Sequence, residues 1–225
     1  IDSGATIANS GTATGFGGGG LASGDVIPAD DGSVGAPGLS FADDTDNGLY
    51  RIGADNFGVA VAGALAMEFD PTGAALLPLQ PIFLSRLSGT ASNVTGNATN
   101  YVFAGSAEDL DQGSNVASGV YTAPVTGRHL FWGSIRLSGM TSVDKIALWL
   151  EESDSTDIVF LTDQRSSGNL GAEAIVPFIS LLSLSASDTV RLNINVNGEG
   201  ADTVDVVGGA LSVGGSHFCG MLLPA

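Results

Sequence analysis

Basic residues are scarce in this chain of 225 residues. One lysine, Lys145, and six arginines stand against 24 acidic side chains, for a net charge of −17. Nucleic-acid binding needs Lys and Arg clustered against phosphate, and the scattered Arg86, Arg128, Arg136 and Arg165 form no basic stripe, so a nucleic-acid partner is excluded. The single cysteine, Cys219, rules out an intrachain disulfide and a cysteine zinc cluster, leaves the fold to rest on packing, and reads as a buried, inert thiol. Two histidines, His129 and His217, are too few for a histidine-rich metal site. No apolar run approaches 18 residues, so no membrane insertion is expected. The N-terminal IDSGATIANSGTATG lacks a basic region and an apolar core, so no secretory signal is expected, although a chain starting at Ile1 suggests processing upstream.

Glycine is abundant, with 33 residues, and 44% of the chain is hydrophobic, which together predict a folded protein rich in turns. Three regions emerge. Residues 1–36 are dominated by Gly, Ala, Ser and Thr and read as an arm or linker that orders against a partner. Gly15, Gly17 and Gly20 spell G-x-G-x-x-G, but no strand precedes them and no helical pattern follows, so a dinucleotide site is not expected. Residues 37–80 carry five short apolar segments (39–41, 49–52, 57–61, 65–69 and 74–77) separated by turn signals. They predict a β connector too small for a core of its own, which two further copies would complete by intertwining.

Residues 81–225 predict a compact all-β head. RLNINVN (191–197) alternates strictly, Leu192, Ile194 and Val196 against Arg191, Asn193, Asn195 and Asn197, as a half-buried strand does. Further strands are expected at 82–88, 101–104, 119–123, 128–137, 145–152, 157–162, 174–184, 203–207 and 217–223, at spacings typical of sandwiches and jelly rolls.

The acidic turn Asp43, Asp44, Asp46, Asn47, Gly48 imitates the opening of a calcium loop, yet the position that should carry the closing Glu is Ala54. A turn held by Asp and Asn side chains is the plainer reading. Glu108, Asp109 and Asp111, in the loop expected at 106–119, offer a second set of hard oxygen ligands. Calcium, through Asp43, Asp46, Glu108, Asp109 or Asp111, is thus the one cofactor candidate, against ordinary solvated loops. Catalytic patterns are lacking. There is no G-x-S-x-G elbow, and the neighbours Ser216 and His217, like Glu151 and Glu152, point to opposite faces of a strand. A glycosidase pair would require Glu108, Asp109, Asp111 or Glu173 to converge in space. No enzyme is expected. Asn93 and Asn97 sit in N-x-T sequons that bacterial cytoplasm would leave unmodified.

Two segments carry a resemblance. YTAPVTGRHLF, with Tyr121, Ala123, Pro124, Gly127, Leu130 and Phe131, and the closing Phe218, Gly220, Leu222 and Leu223 resemble the C-terminal jelly roll of tumour necrosis factor and complement globular-head proteins. His129, Cys219 and Met221 depart from that pattern. APGLSFADDTDNGLYRIG (36–53) resembles a module of bacteriophage tail-fibre proteins. The resemblances imply a homotrimer and a structural virion protein assembled in the bacterial cytoplasm. Its arm would meet other virion proteins, and its head would bind a host surface glycan or protein. Phe218, Gly220 and Leu222 are the expected trimer interface, Gly220 lying against a neighbouring backbone near the three-fold axis. Recognition is expected in loops 106–118, 138–144, 163–173 and 197–202, where backbones are solvated. The alternatives are a capsid head fibre or decoration protein without receptor role, a secreted adhesin, and a polysaccharide depolymerase.

Overall fold

The computed structural model describes residues 30–153, the backbone of 158–165, and 172–223. Most of the glycine-rich arm, including its G-x-G-x-x-G, lies outside the described residues.

Eight strands build the head: β1 (Ile82–Arg86), β2 (Val120–Thr122), β3 (Gly127–Ser138), β4 (Lys145–Glu152), β5 (Ile158–Arg165), β6 (Glu173–Leu184), β7 (Thr189–Asn197) and β8 (His217–Leu222). They form two antiparallel sheets. The first runs β1-β8-β3-β6 and the second β2-β7-β4-β5, so that the first strand lies beside the last and the second beside the seventh. That strand order is a jelly roll, and the fold is all-β. Ala107–Gln112 extends the first sheet alongside β1, and Val204–Val206 with Ala91–Thr95 widens it beyond the end of β3. Asn100–Val102 adds to β7, and Val116–Ala117 to β2.

Alternation drives the two sheets together. On β3, His129, Phe131, Gly133, Ile135 and Leu137 are buried, and on β7 Val190, Leu192, Ile194 and Val196 are fully enclosed. Between them Phe83, Phe103, Tyr121, Phe131, Phe178 and Phe218 make an aromatic core. The Phe131 and Phe218 rings stack 5.7 Å apart, and Phe83 meets Phe218 edge-on at 5.1 Å. Two glycines make room for these rings. Gly220 lies opposite Phe131 and Gly133 opposite Phe218. A Cβ on Gly220 would stand 2.5 Å from the Phe83 ring and 2.7 Å from Phe131, and one on Gly133 would stand 2.3 Å from the His217 carbonyl.

The expected head strands are present. One expected loop is not: Ala107–Gln112 pairs with β1 through the register Leu110↔Leu84. Its AEDLDQ composition hides the strand, because as an edge strand it needs no apolar face of its own. In the connector, Leu39–Phe41, Asp44–Gly53, Asn56–Val61, Ala64–Phe69 and Ala75–Leu76 form a five-stranded antiparallel meander. Only Ala42 and Asp43 make the acidic turn, and Asp44 to Gly48 already belong to a strand. Gln112 Nε2 bridges the Leu77 and Gln80 carbonyls, and Gln80 donates to the Leu222 carbonyl, which fixes the end of the head that meets the connector.

Candidate assembly and recognition surfaces

The register of the first sheet sorts its side chains into two faces. Phe218 and Gly220 lie inside the sandwich, and Leu222 follows on the same side opposite buried His129. Phe218 and Gly220 serve the chain's own core, which corrects the expectation that these two residues form the trimer interface, whereas Leu222 is half-buried at the end of β8. Both halves of HFCGML are apolar enough to be interior, so alternation alone did not select the phase. The opposite side of β8 carries His217, Cys219 and Met221, His217 and Met221 half-buried and the smaller Cys219 covered by its neighbours, in rows with the side chains of neighbouring strands. One row runs Leu181, Leu130, Met221, Ile82, and the next Ile179, Trp132, Cys219, Leu84, Leu110. Ile175 and Ile179 are 64% and 70% exposed.

Toward the end away from the connector this apolar band meets a polar rim. Arg86 pairs with Asp109 at 2.7 Å, and Arg136 with Glu173 at 2.9 Å. An apolar centre with a charged border is the anatomy of a protein interface. Among the described residues β6 pairs only with β3, and in the middle of this edge strand Pro177 offers no N–H to an incoming strand. Edge addition is disfavoured while the face stays open.

The connector has the same imbalance. Leu39, Leu49, Val59 and Met67 form one cross-strand row, with Phe57 and Phe69 stacked 4.9 Å apart beside it. On this small sheet Leu39, Phe41, Leu49, Phe57 and Val61 remain exposed, Phe41 by 68%.

The acidic residues behave differently from the calcium expectation. Asp109 is taken by Arg86, Asp111 accepts the backbone N–H groups of Asn115 and Val116, and Glu108 stays exposed on the edge strand. Asp43 is exposed in its turn, whereas Asp46 lies near Asp44, whose hydrogen bond raises the Asp46 pKa above its ordinary value. Among the described residues no three His, Cys, Asp or Glu side chains are grouped so that they could hold a metal ion. Carboxylates instead pin loops at the far end of the head. Asp205 accepts the Asn93 N–H, Asp202 accepts the Asn97 N–H and the Thr99 hydroxyl, and Glu199 accepts N–H and O–H groups of both Thr141 and Ser142.

Two of the expected recognition loops, 138–144 and 197–202, are therefore locked together at that end. Residues 113–118 follow Gln112, which is tied to the connector at the opposite end of β1. In the segment 163–173, residues 163–165 belong to β5, Glu173 begins β6, and 166–171 lie outside the described residues.

The hydrogen bonds to Glu199 hold its pKa down, from 4.5 to about 2. The sign follows: its contribution is fully present above pH 4.5 and is lost as pH falls through 2. Glu199→Gln is expected to lower the protection factors of the Thr141 and Ser142 amides at pH 7, each rate being taken relative to the intrinsic rate at the same pH, and acidification toward pH 2 to lower them in the unsubstituted chain. Unchanged protection in both would show that the loop is held by other contacts.

Both histidines are structural in their surroundings. His129 is fully buried, its Nδ1 3.0 Å from the Tyr121 hydroxyl and its Nε2 3.3 Å from the Val125 carbonyl, and burial lowers its pKa. His217 Nδ1 faces the Gly215 carbonyl. The Cys219 thiol is buried, and desolvation pushes its pKa up to about 12, in keeping with an inert thiol.

No protein-family model matches the chain, and no curated protein does. Solved structures similar to it include the globular domain of zebrafish complement 1qA protein, at 14% identity and TM-score 0.46, over 64% of this chain and 98% of that one. Murine APRIL at pH 8.0 is similar at 13% identity and TM-score 0.44, over 64% of this chain and 99% of that one.

Proposed function

We propose that this chain is the protomer of a homotrimeric bacteriophage fibre whose head binds a host surface receptor. The observation that carries the assembly part is the pair of unpartnered apolar sheet faces, one on the connector and one on the head, within a single chain. Monomeric soluble proteins rarely expose contiguous apolar patches of this kind, and packing against copies removes both at once. The number three and the virion setting rest on the resemblances of YTAPVTGRHLF and PGLSFADDTDNGLYR. In this arrangement the arm meets other virion proteins, the connector strands of three copies close a common core, and the heads pack through their first sheets. No bond-making chemistry is assigned to the protein. Three-fold display, multiplied by several fibres per particle, turns weak single contacts into avidity.

The test is adsorption. The full chain is expected to label cells of the host and to compete with the parent virus for them. Correctly assembled protein that does neither would favour a capsid fibre or decoration protein over a receptor-binding one, and cleavage of capsular polysaccharide would favour a depolymerase.

A further inference from the structure

We propose that the outer face of the second sheet is a binding site for a neutral oligosaccharide; the inference rests on the receptor-binding reading and names the chemistry of the receptor. The two outer faces of the sandwich are opposites. Where the first sheet presents Ile, Leu and Trp132, the second carries Asn193, Asn195 and Asn197 at successive outward positions of β7, Asn195 and Asn197 half-buried and Asn193 buried as their support. Asn100 lies beside Asn195, Trp149 beside Asn193, and Glu151 beside Arg191. Asparagine is among the residues least suited to strands, and three in succession on one face contradict local propensity, as functional sites do.

Cross-strand hydrogen bonds hold these groups in place. Glu151 bridges Arg191 and Asn193, the latter at 3.0 Å, and the Asn195 amide donates to the Asn100 carbonyl oxygen of the side chain at 2.7 Å and to the Ala98 backbone carbonyl at 2.8 Å. The result is a flat, fixed array of amide, carboxylate and guanidinium groups around a half-buried indole. At its connector end it runs into a depression of about 220 Å³ lined by Val120, Glu151, Glu152, Ser153, Thr189 and Arg191. Planar donors and acceptors with more than one hydrogen-bonding site match the paired hydroxyls of a sugar ring, and an indole matches its apolar C–H face. The charge selects among sugars. On this face Lys145 and Arg191 stand with Glu151 on a chain of net charge −17, so a polyanionic glycan would be repelled by the rest of the molecule and an uncharged one would not.

Saturation-transfer NMR on the intact protein tests the proposal, with linear α- and β-glucan, mannan and galactan oligosaccharides as probes and polysialic acid as the anionic comparator. At least one neutral oligosaccharide is expected to receive saturation. The double substitution Arg191→Ala with Asn195→Ala should weaken its binding about tenfold or more, and Trp149→Phe should weaken it as well, with assembly mass and circular dichroism checked for each. The site falls if no neutral oligosaccharide responds, if polysialic acid is preferred, or if the folded double variant binds as before. Host-cell labelling separates the two readings. Labelling by the double variant equal to that of the original chain leaves the receptor function and removes this site. Absence of labelling by the original chain removes the receptor function, whereas the oligosaccharide titration still decides the site.

Discussion

Ile179→Glu combined with Leu181→Glu is expected to convert the assembled protein into a folded monomer of 22.5 kDa. Both side chains stand on the outer face of β6, 70% and 52% exposed, and neither touches the sandwich core, so the head should keep its strand content. Between copies the situation reverses. Fully burying an aliphatic side chain of this size stabilises by about 1.5–3 kcal/mol, and two such residues are contributed by every copy. Two carboxylates per chain in their place must be desolvated among Leu130, Trp132 and Met221, and they add like charge to copies that each already carry −17. Light scattering at micromolar concentration is the measurement. A trimer that survives the double substitution would mean that the heads pack elsewhere or that the connector core alone holds the three copies, and a folded monomer from the unsubstituted chain would remove the assembly altogether.

Gly220→Val should act in the opposite way, on the fold before the assembly. The valine Cβ would stand 2.5 Å from the Phe83 ring and 2.7 Å from that of Phe131, and both rings are themselves enclosed by Tyr121 and Phe218. Overpacking of a close-packed core costs about 1–3 kcal/mol and occasionally more. Here no ring can swing toward solvent, so the upper end of that range is expected, seen as a lowered thermal midpoint with loss of the near-ultraviolet aromatic signal. Had Gly220 faced a three-fold axis, the same substitution would have dissociated copies while leaving each head intact. An unchanged midpoint would refute the inward placement of β8.

Particular residues show where the sequence is informative. Leu192, Ile194 and Val196 alternate with Arg191, Asn193 and Asn195, and because one set is apolar and the other polar, both the strand and its buried face follow from periodicity alone. In HFCGML the period is equally clear, but His217, Cys219 and Met221 are nearly as suited to an interior as Phe218, Gly220 and Leu222. The phase was settled only by the register of β8 against β3, which sets Gly220 opposite Phe131 and Gly133 opposite Phe218 so that the rings fit. The strand Ala107–Gln112 was hidden for a related reason, since pairing at a sheet edge is made by backbone groups that composition does not report.

The surfaces divide in the same manner. That the chain is acidic, poor in lysine and without cations clustered in sequence is a property of composition, and it disfavours nucleic-acid partners. That the carboxylates of Asp202 and Asp205 hold the backbone at Asn97 and Asn93, more than a hundred residues away, is not, because those hydrogen bonds exist only once the two segments are side by side. Local pattern thus determined an all-β chain with a half-buried strand at 191–197 and a connector too small for its own core. Tertiary structure decided which apolar side chains are core and which are surface, because burial is set by what a strand packs against, and strand partners far apart in the chain leave no trace in local periodicity.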